Sequence, residues 1–283
     1  MTCPRLLVVG FGDIGQRVSR LLSPLGWDIH AVRRHPDPQQ TGITWHRADY
    51  TDADSLRFAE SLQPDIVLTT LTPLSREISG YESGFAIATR NLLQGLGAHK
   101  ANRIIMASST RVYAETSGGW VDEHSPLSIS DERALAIIDA EQQLLLSGLP
   151  ASIVRFGGIY GTPGGRLVKK ILDGRVSPAR PVRYTNRIHR DDCAGFIAHL
   201  ILQAQAGDDL LPIYNGVDNK PVTAHEVESW LAVKLGARST PDNTATSPSA
   251  SHKRCRNDAL RSSGYELLFP DYQTGYQSVL DHS

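Results

Sequence analysis

Residues 10–15 read Gly-Phe-Gly-Asp-Ile-Gly, a G-x-G-x-x-G spacing directly after the apolar run Leu6–Val9. Glycines so placed permit a tight turn and let the backbone approach a diphosphate. A helix opening at that point offers unbonded N–H groups and a positive dipole end to the same anion. Gly10, Gly12, Asp13, Ile14 and Gly15 are therefore candidate ligands of a dinucleotide diphosphate. The competing reading is that the glycines only let a strand and a helix pack closely. A second signal comes about 20 residues further on, where a fold selective for NAD places an acidic residue on the ribose 2′-hydroxyl. This chain has Arg33-Arg34 there. Two guanidiniums can grip a 2′-phosphate, which favours NADP over NAD; a solvated basic strand end is the plainer alternative. A methyltransferase also uses a glycine-rich first loop, but its usual acidic residue after the second strand is missing.

The elements that must position these residues read as α/β, because short apolar β runs alternate with segments of helical period. Strands are expected at Leu6–Val9, Asp28–Val32, Ile43–Arg47, Ile66–Leu71, Ile104–Ala107 and Ser152–Phe156. Helices are expected around Ile14–Leu22, after an N-cap at Thr51 or Asp52, over Tyr81–Leu96 and over Asp131–Ser147. This order predicts a Rossmann doubly wound parallel sheet over residues 1–160. Beyond it the strict alternation stops. Helices at 166–173 and 192–204, and one capped by Thr223 with Glu226, suggest a smaller substrate lobe over 161–283, interleaved with the core, with residues 182–217 returning to the sheet. Ser108–Pro126 is too long and polar for a simple connector and reads as a functional loop. The Ser-, Thr- and Pro-rich stretch 240–251 reads as a flexible one.

Composition narrows the partners. Of 283 residues 40% are hydrophobic and 21% charged, and 29 Lys and Arg stand against 30 Asp and Glu, a formal charge of −1. That balance excludes disorder and gives no global attraction to nucleic acid or an anionic membrane, so a small-molecule substrate is expected. Cys3, Cys193 and Cys255 are far apart and lack metal-ligand spacing, which fits a reducing, cytoplasmic setting without disulfides or metal. No apolar run approaches the roughly 20 residues that span a bilayer.

With these residues in hand the chain resembles the extended short-chain dehydrogenase/reductase family, the NAD-dependent epimerase/dehydratase group, over nearly its whole length. Asp49-Tyr50 is similar to the family's acidic and apolar pair beside the adenine, and Leu71 ends the fourth expected strand on the cofactor side. Ser108-Ser109-Thr110-Arg111-Val112-Tyr113-Ala114 resembles the Ser-Ser-x-x-Val-Tyr-Gly segment that carries the active-site hydroxyl. Val121-Asp122-Glu123 with Pro126 matches the acidic run after it. Arg155 to Gly161, including Gly157 and Tyr160, is similar to the family's Arg-x-x-x-Tyr-Gly segment, and Asn186 to His189 with Asp191-Asp192 resembles the return of the substrate lobe. The resemblance implies that Arg155, Gly157 and Tyr160 line the cofactor pocket. It implies an oxidoreductase or epimerase acting on a polar carbonyl or sugar-like substrate, as a monomer or as a homodimer formed through helices 81–96 and 131–147.

The chain departs from the family at the reacting centre. No lysine stands four residues after a tyrosine; with Glu141 as the family's following glutamate, Arg133 and Ile137 occupy the catalytic positions. The match is thus to an atypical branch. If hydride transfer survives, Ser109 or the neighbouring Thr110 bonds the reacting oxygen, unless both only close the strand. Tyr113 is the replacement phenol, with Arg111 or Arg155 as its cation, or else a packed aromatic. Asp122 and Glu123 read as acid and base or as solvated charges, His189 as titrating group or structural hydrogen-bonder, and Trp120 as lid or anchor. Arg155 and Tyr160 have core readings too, the first holding a buried carboxylate and the second filling a gap. The missing Tyr-Lys pair also admits a regulatory or redox-sensing protein that binds NADP without turning it over.

Overall fold

The computed structural model describes residues 3–37, 39–238, 240–241 and 252–281. Its first half contains β1 (Arg5–Val9), α1 (Asp13–Leu22), β2 (Asp28–Arg33), β3 (Thr44–Arg47), α2 (Phe58–Leu62), β4 (Ile66–Thr69), α3 (Ile78–Tyr81), α4 (Ala88–Leu96), β5 (Arg103–Ser109), β6 (Trp120–Val121) and α5 (Glu132–Leu145). There follow β7 (Ala151–Phe156), β8 (Gly158–Tyr160), α6 (Arg166–Leu172), β9 (Arg175–Val176), β10 (Tyr184–Thr185), β11 (Arg187–His189), α7 (Arg190–Ala206) and β12 (Ile213–Gly216). The last part adds β13 (Val222–Thr223), α8 (Ala224–Lys234), β14 (Thr240–Pro241), β15 (Arg254–Cys255), α9 (Asp258–Ser262) and α10 (Tyr272–Asp281).

Seven strands form one parallel sheet in the order β12-β7-β5-β4-β1-β2-β3, the Rossmann arrangement expected from the alternation of elements. Strand order reverses on either side of β1, which pairs with β2 through Val9↔Val32 and with β4 through Val9↔Thr69. Helices cover both faces, so the inner strands are apolar throughout: Leu6 to Val9, Ile66 to Leu68 and Ile104 to Met106 are all fully buried.

By its internal contacts the chain divides into two compact units. The first comprises the residues up to Val112, Leu127–Arg155 and Ala194–Tyr214; the second comprises Tyr113–Pro126, Phe156–Cys193 and the residues from Asn215 onward. The second unit has its own apolar cluster, in which Ile171, Val222, Val227 and Leu231 pack with Tyr272 and Tyr276.

Two local expectations change. The helix expected after Thr51 is only Phe58–Leu62, because the polar residues before it bond locally. Asp49 accepts from the Thr51 N–H and hydroxyl at 3.0 and 2.8 Å, and Ser55 Oγ accepts from Asp49 N–H at 2.8 Å, which makes a turn instead. The helix expected from Tyr81 begins at Ile78 and is wound as a π-helix over Glu82–Ile87 before continuing as α4. Of the expected loop at 240–251, residues 242–251 lie outside the described residues.

Candidate functional site: the C-terminal edge of the sheet

In parallel α/β sheets, ligands collect where strands end and the order reverses. Here that place is the turn between β1 and α1. The three glycines have different reasons to be there. Gly10 has φ +87°, and a Cβ on it would stand 2.7 Å from the Thr70 carbonyl oxygen. Gly15 faces Val8, whose Cγ1 would be 3.0 Å from an added Cβ. Both are required by the fold itself. Gly12 is not: its φ of −96° suits any residue, and a Cβ there would meet nothing closer than the Gly10 oxygen at 4.0 Å. Packing between strand and helix therefore accounts for two glycines and leaves the third to a ligand.

That ligand would face the N terminus of α1. Gln16 N–H is the first to return to a helical carbonyl, bonding Gly12 O at 3.0 Å, and no side chain caps the preceding turn. The N–H groups of the first turn and the helix dipole thus suit an anion in front of Gly12. Asp13 turns its carboxylate to Arg17, 3.2 Å away on the next turn of the helix. The residues present fit a dinucleotide diphosphate.

Neighbouring strands flank the turn. Phe11 N–H donates to Val32 O at 3.4 Å, holding the glycine turn against the end of β2, where Arg33 and Arg34 are exposed. Arg34 Nη1 lies 4.0 Å from Asp49 Oδ2. Tyr50 is fixed through its carbonyl, which accepts from Asn91 Nδ2 at 3.0 Å, and Leu71 is buried directly behind Gly10. Thr70 Oγ1 donates to Gly10 O and completes the cradle.

At the end of β5 the picture is less open. Ser109 Oγ accepts from Arg111 N–H at 3.2 Å, and both Ser109 and Thr110 are half-buried. Just below, Ser108 Oγ donates to Glu141, whose carboxylate also takes Arg155: Nη2 to Oε2 is 2.7 Å and Nε to Oε1 is 3.1 Å. Arg155 and Glu141 are each 2% exposed in their side chains. Arg155 thus holds a buried carboxylate, as in its core reading. Ile137, at the family's lysine position, lies in the apolar core, so no ammonium group replaces the absent lysine from that helix.

The remaining sequence-predicted residues lie in the second unit. Tyr113 is 1% exposed and its hydroxyl donates to Asn215 Oδ1 at 2.7 Å. A cation does stand beside it, though neither of those expected. Arg155 is taken by Glu141 and Arg111 by Asp131, whereas buried Lys253 donates from Nζ to the Tyr113 carbonyl at 3.0 Å and lies 6.0 Å from its ring centroid. Lys253 gave no local signal, since a lysine in the basic run 252–256 reads as solvated. Gly157 is a packing glycine: a Cβ on it would stand 3.0 Å from the backbone of Asn186. Tyr160 fills an aromatic cluster, stacked on Tyr276 with ring centroids 4.4 Å apart and edge-on to His189 at 5.3 Å; burial pushes its phenol well above the usual range.

The loop carboxylates and aromatics follow the same pattern. Asp122 Oδ1 accepts from Ser125 Oγ at 2.9 Å and His124 N–H at 3.0 Å, and these bonds hold its carboxyl below the usual value, which suits a turn and not a proton donor. Glu123 Oε1 accepts from Asn215 N–H at 2.9 Å. His189 is buried between Tyr160 and Phe269, and Gly161 closes over its Nε2. Trp120 is half-exposed on β6, flanked by Arg254 and Arg256, whose guanidinium carbons lie 4.9 and 5.3 Å from its ring.

Comparisons with known proteins give the chain a family. A family model described as NAD(P)H-binding matches residues 10–204. Protein YeeZ of Escherichia coli K12 is 28% identical over 223 residues, covering 75% of this chain and 76% of that protein. A solved structure from Methylobacillus flagellatus, described as an NAD-dependent epimerase/dehydratase, is 32% identical and superposes with a TM-score of 0.83 over 99% of both chains. A human epimerase family protein solved with NADPH has a TM-score of 0.76 at 18% identity, covering 99% of this chain and 100% of that one, a likeness of fold. With its glycine turn inside the matched span and its sheet in Rossmann order, the chain belongs to the NAD(P)H-binding family and has the fold of the epimerase/dehydratase-type short-chain dehydrogenases.

Proposed function

We propose that the chain is an NADP-dependent oxidoreductase or epimerase of the atypical extended type, acting on a polar carbonyl or sugar-like substrate. The observation that carries the choice of NADP is the end of β2, where two exposed guanidiniums, Arg33 and Arg34, stand where an acidic residue would select NAD. The turn at 10–15 holds the diphosphate, Arg33 and Arg34 the 2′-phosphate, and Asp49, Tyr50 and Leu71 the adenosine side. The bound nicotinamide supplies or accepts hydride. Ser109 and Thr110 present hydroxyls at the end of β5 to orient a substrate oxygen. Fluorescence titration tests the assignment: NADPH should bind at least roughly tenfold more tightly than NADH, the scale of a charge-assisted bond to phosphate. Equal affinities would overturn it.

One observation favours a second reading, a sensor that binds NADP without consuming it. Arg133 and a core Ile137 stand where the usual proton-transfer pair would be, and the replacement phenol Tyr113 is buried with its hydroxyl on Asn215. Under this reading NADPH stays unoxidised with every carbonyl tried, while its affinity is unaffected.

A further inference from the structure

The segment after β5 carries a charge arrangement that neither the cofactor nor the fold uses up. Arg111, in the turn after Ser109, and Arg133, in the first turn of α5, converge on one aromatic ring. Their guanidinium carbons lie 5.9 and 5.8 Å from the centroid of Tyr81, the last residue of α3. The π-helix that begins at the next residue gives this helix a wider turn just beyond Tyr81. One carboxylate serves the pair. Asp131 binds Arg111 Nη2 at 2.8 Å through Oδ2, while its Oδ1 caps α5 by accepting from Arg133 and Ala134 N–H at 3.1 and 3.3 Å.

The charges do not cancel. Arg133 has no ion pair among the described residues, Arg111 Nε is buried without a hydrogen-bond partner, and the neighbouring Glu82 and Glu132 are exposed and pair with neither. The electron-rich face of Tyr81 offsets part of the mutual repulsion of two guanidiniums, but it gives their N–H groups no acceptor. A guanidinium fork with open donors is matched by a carboxylate or a phosphate, which takes two parallel bonds at once. The place matters as much as the charge: Arg111 follows directly on Ser109 and Thr110, at the same C-terminal sheet edge as the glycine turn.

We propose that Arg111 and Arg133, seated on Tyr81, hold an oxyanion group of the substrate, which makes the substrate class an acidic carbonyl compound bearing a carboxylate or phosphate. This rests on the proposed function in taking the end of β5 as the substrate side. Arg133 then serves as an anchor in place of the phenol that typical relatives carry at that position.

The test is an NMR titration of the arginine Nε–Hε signals with malonate, with inorganic phosphate and with neutral malonamide, run with and without saturating NADP. Malonate or phosphate should shift the Arg111 and Arg133 signals, and whichever binds more tightly identifies the group as carboxylate or phosphoryl. Arg133→Gln should weaken that binding by about tenfold or more. Tyr81→Leu should weaken it less and lower Tm slightly, Arg133→Gln should leave Tm unaltered, and neither change should alter NADP affinity. Tyr81→Leu also serves as the second variant, because Arg111→Gln disturbs the α5 cap. Oxyanions that bind no better than malonamide, or undiminished binding in Arg133→Gln, would overturn the proposal. Because the titration is also run without dinucleotide, an absence of NADP binding would count against the proposed function alone.

Discussion

The turn after β1 and the segment after β5 occupy the same edge of one sheet, and they differ in where their roles come from. In the turn, consecutive residues form the surface offered to a ligand: Gly10 and Gly15 shape the backbone and Gly12 leaves room in front of a helix terminus, with Thr70 and Val32 only buttressing them. Around the end of β5, Ser109 bonds locally to Arg111 N–H, but its neighbours are claimed from far along the chain. Ser108 is bonded to a residue 33 positions away, Arg111 to one 20 away, the Tyr113 hydroxyl to one 102 away and its carbonyl to one 140 away. A binding site made of local backbone can be read from a motif; a reacting centre made of long-range contacts cannot.

The largest expected effect lies beneath β5. Glu141→Gln leaves Arg155 charged, buried and without its ion pair, and should cost about 3–5 kcal/mol in urea unfolding. Replacing both residues by apolar ones of similar volume should cost far less. If Glu141→Gln is instead neutral for stability and damaging to NADP binding, Arg155 belongs to the cofactor site and the contrast between the two regions fails.

Next comes the turn itself. Gly12→Val should change stability by less than about 1 kcal/mol, the range of an N-cap change, while NADPH affinity falls on the order of 100-fold. Gly10→Val should do the reverse and destabilise the fold, since a left-handed backbone costs roughly 1–2 kcal/mol for such a residue before the clash with Thr70 is added. Should Gly12→Val melt the protein and spare affinity, the turn is a packing device.

The sheet was legible because its strands are buried on both faces and read as unbroken apolar runs, Leu6–Val9 and Ile104–Met106 among them. The short helix after Asp49 was not, because Asp and Ser side chains that cap helices also close turns, and Ser55 bonding Asp49 decided for the turn. Of the candidate site, the glycine turn was legible by its spacing after a strand. The true neighbours of Tyr113 were hidden: Lys253 looks like a surface cation in the sequence and is buried only because β15 pairs with β6 and carries it inside.

Smaller effects sharpen the contrast. Arg34→Gln should raise the NADPH dissociation constant by about tenfold and leave NADH unchanged, the loss of one charge-assisted contact. A loss shared equally by both dinucleotides would mean that Arg34 shapes the strand end and touches no phosphate. Tyr113→Phe should cost about 1 kcal/mol, because it strands Asn215 Oδ1 in the interior, with little change in NADP affinity. Loss of any turnover without loss of stability would restore Tyr113 as the proton donor.

The smallest effect tests β2, which carries Arg33, and β3 paired beside it. His30 Nδ1 lies 2.9 Å from His46 Nε2, and His30 Nε2 lies 3.0 Å from Asp28 Oδ2, so a single proton between the rings holds the pair together. Burial, and after it the neighbouring His30, keep His46 below its ordinary value of 6.5. Below that value the unfolded chain takes up a proton that the folded chain refuses until lower pH. The unfolded state then binds more protons, and stability falls with acidification. Stability should therefore be unaffected by His46 above about pH 6.5 and decline from there towards the folded-state value. Phe58, stacked 4.0 Å from the His46 ring, supplies part of the cover. Melting curves at about pH 8 and pH 5.5 should show a loss of Tm in acid that His46→Gln reduces, with NADPH affinity in the variant unchanged at the higher pH. An undiminished acid loss in His46→Gln would assign it to other groups. A parallel loss of affinity would mean that the histidine pair positions Arg33, and the cradle would then depend on long-range contacts after all.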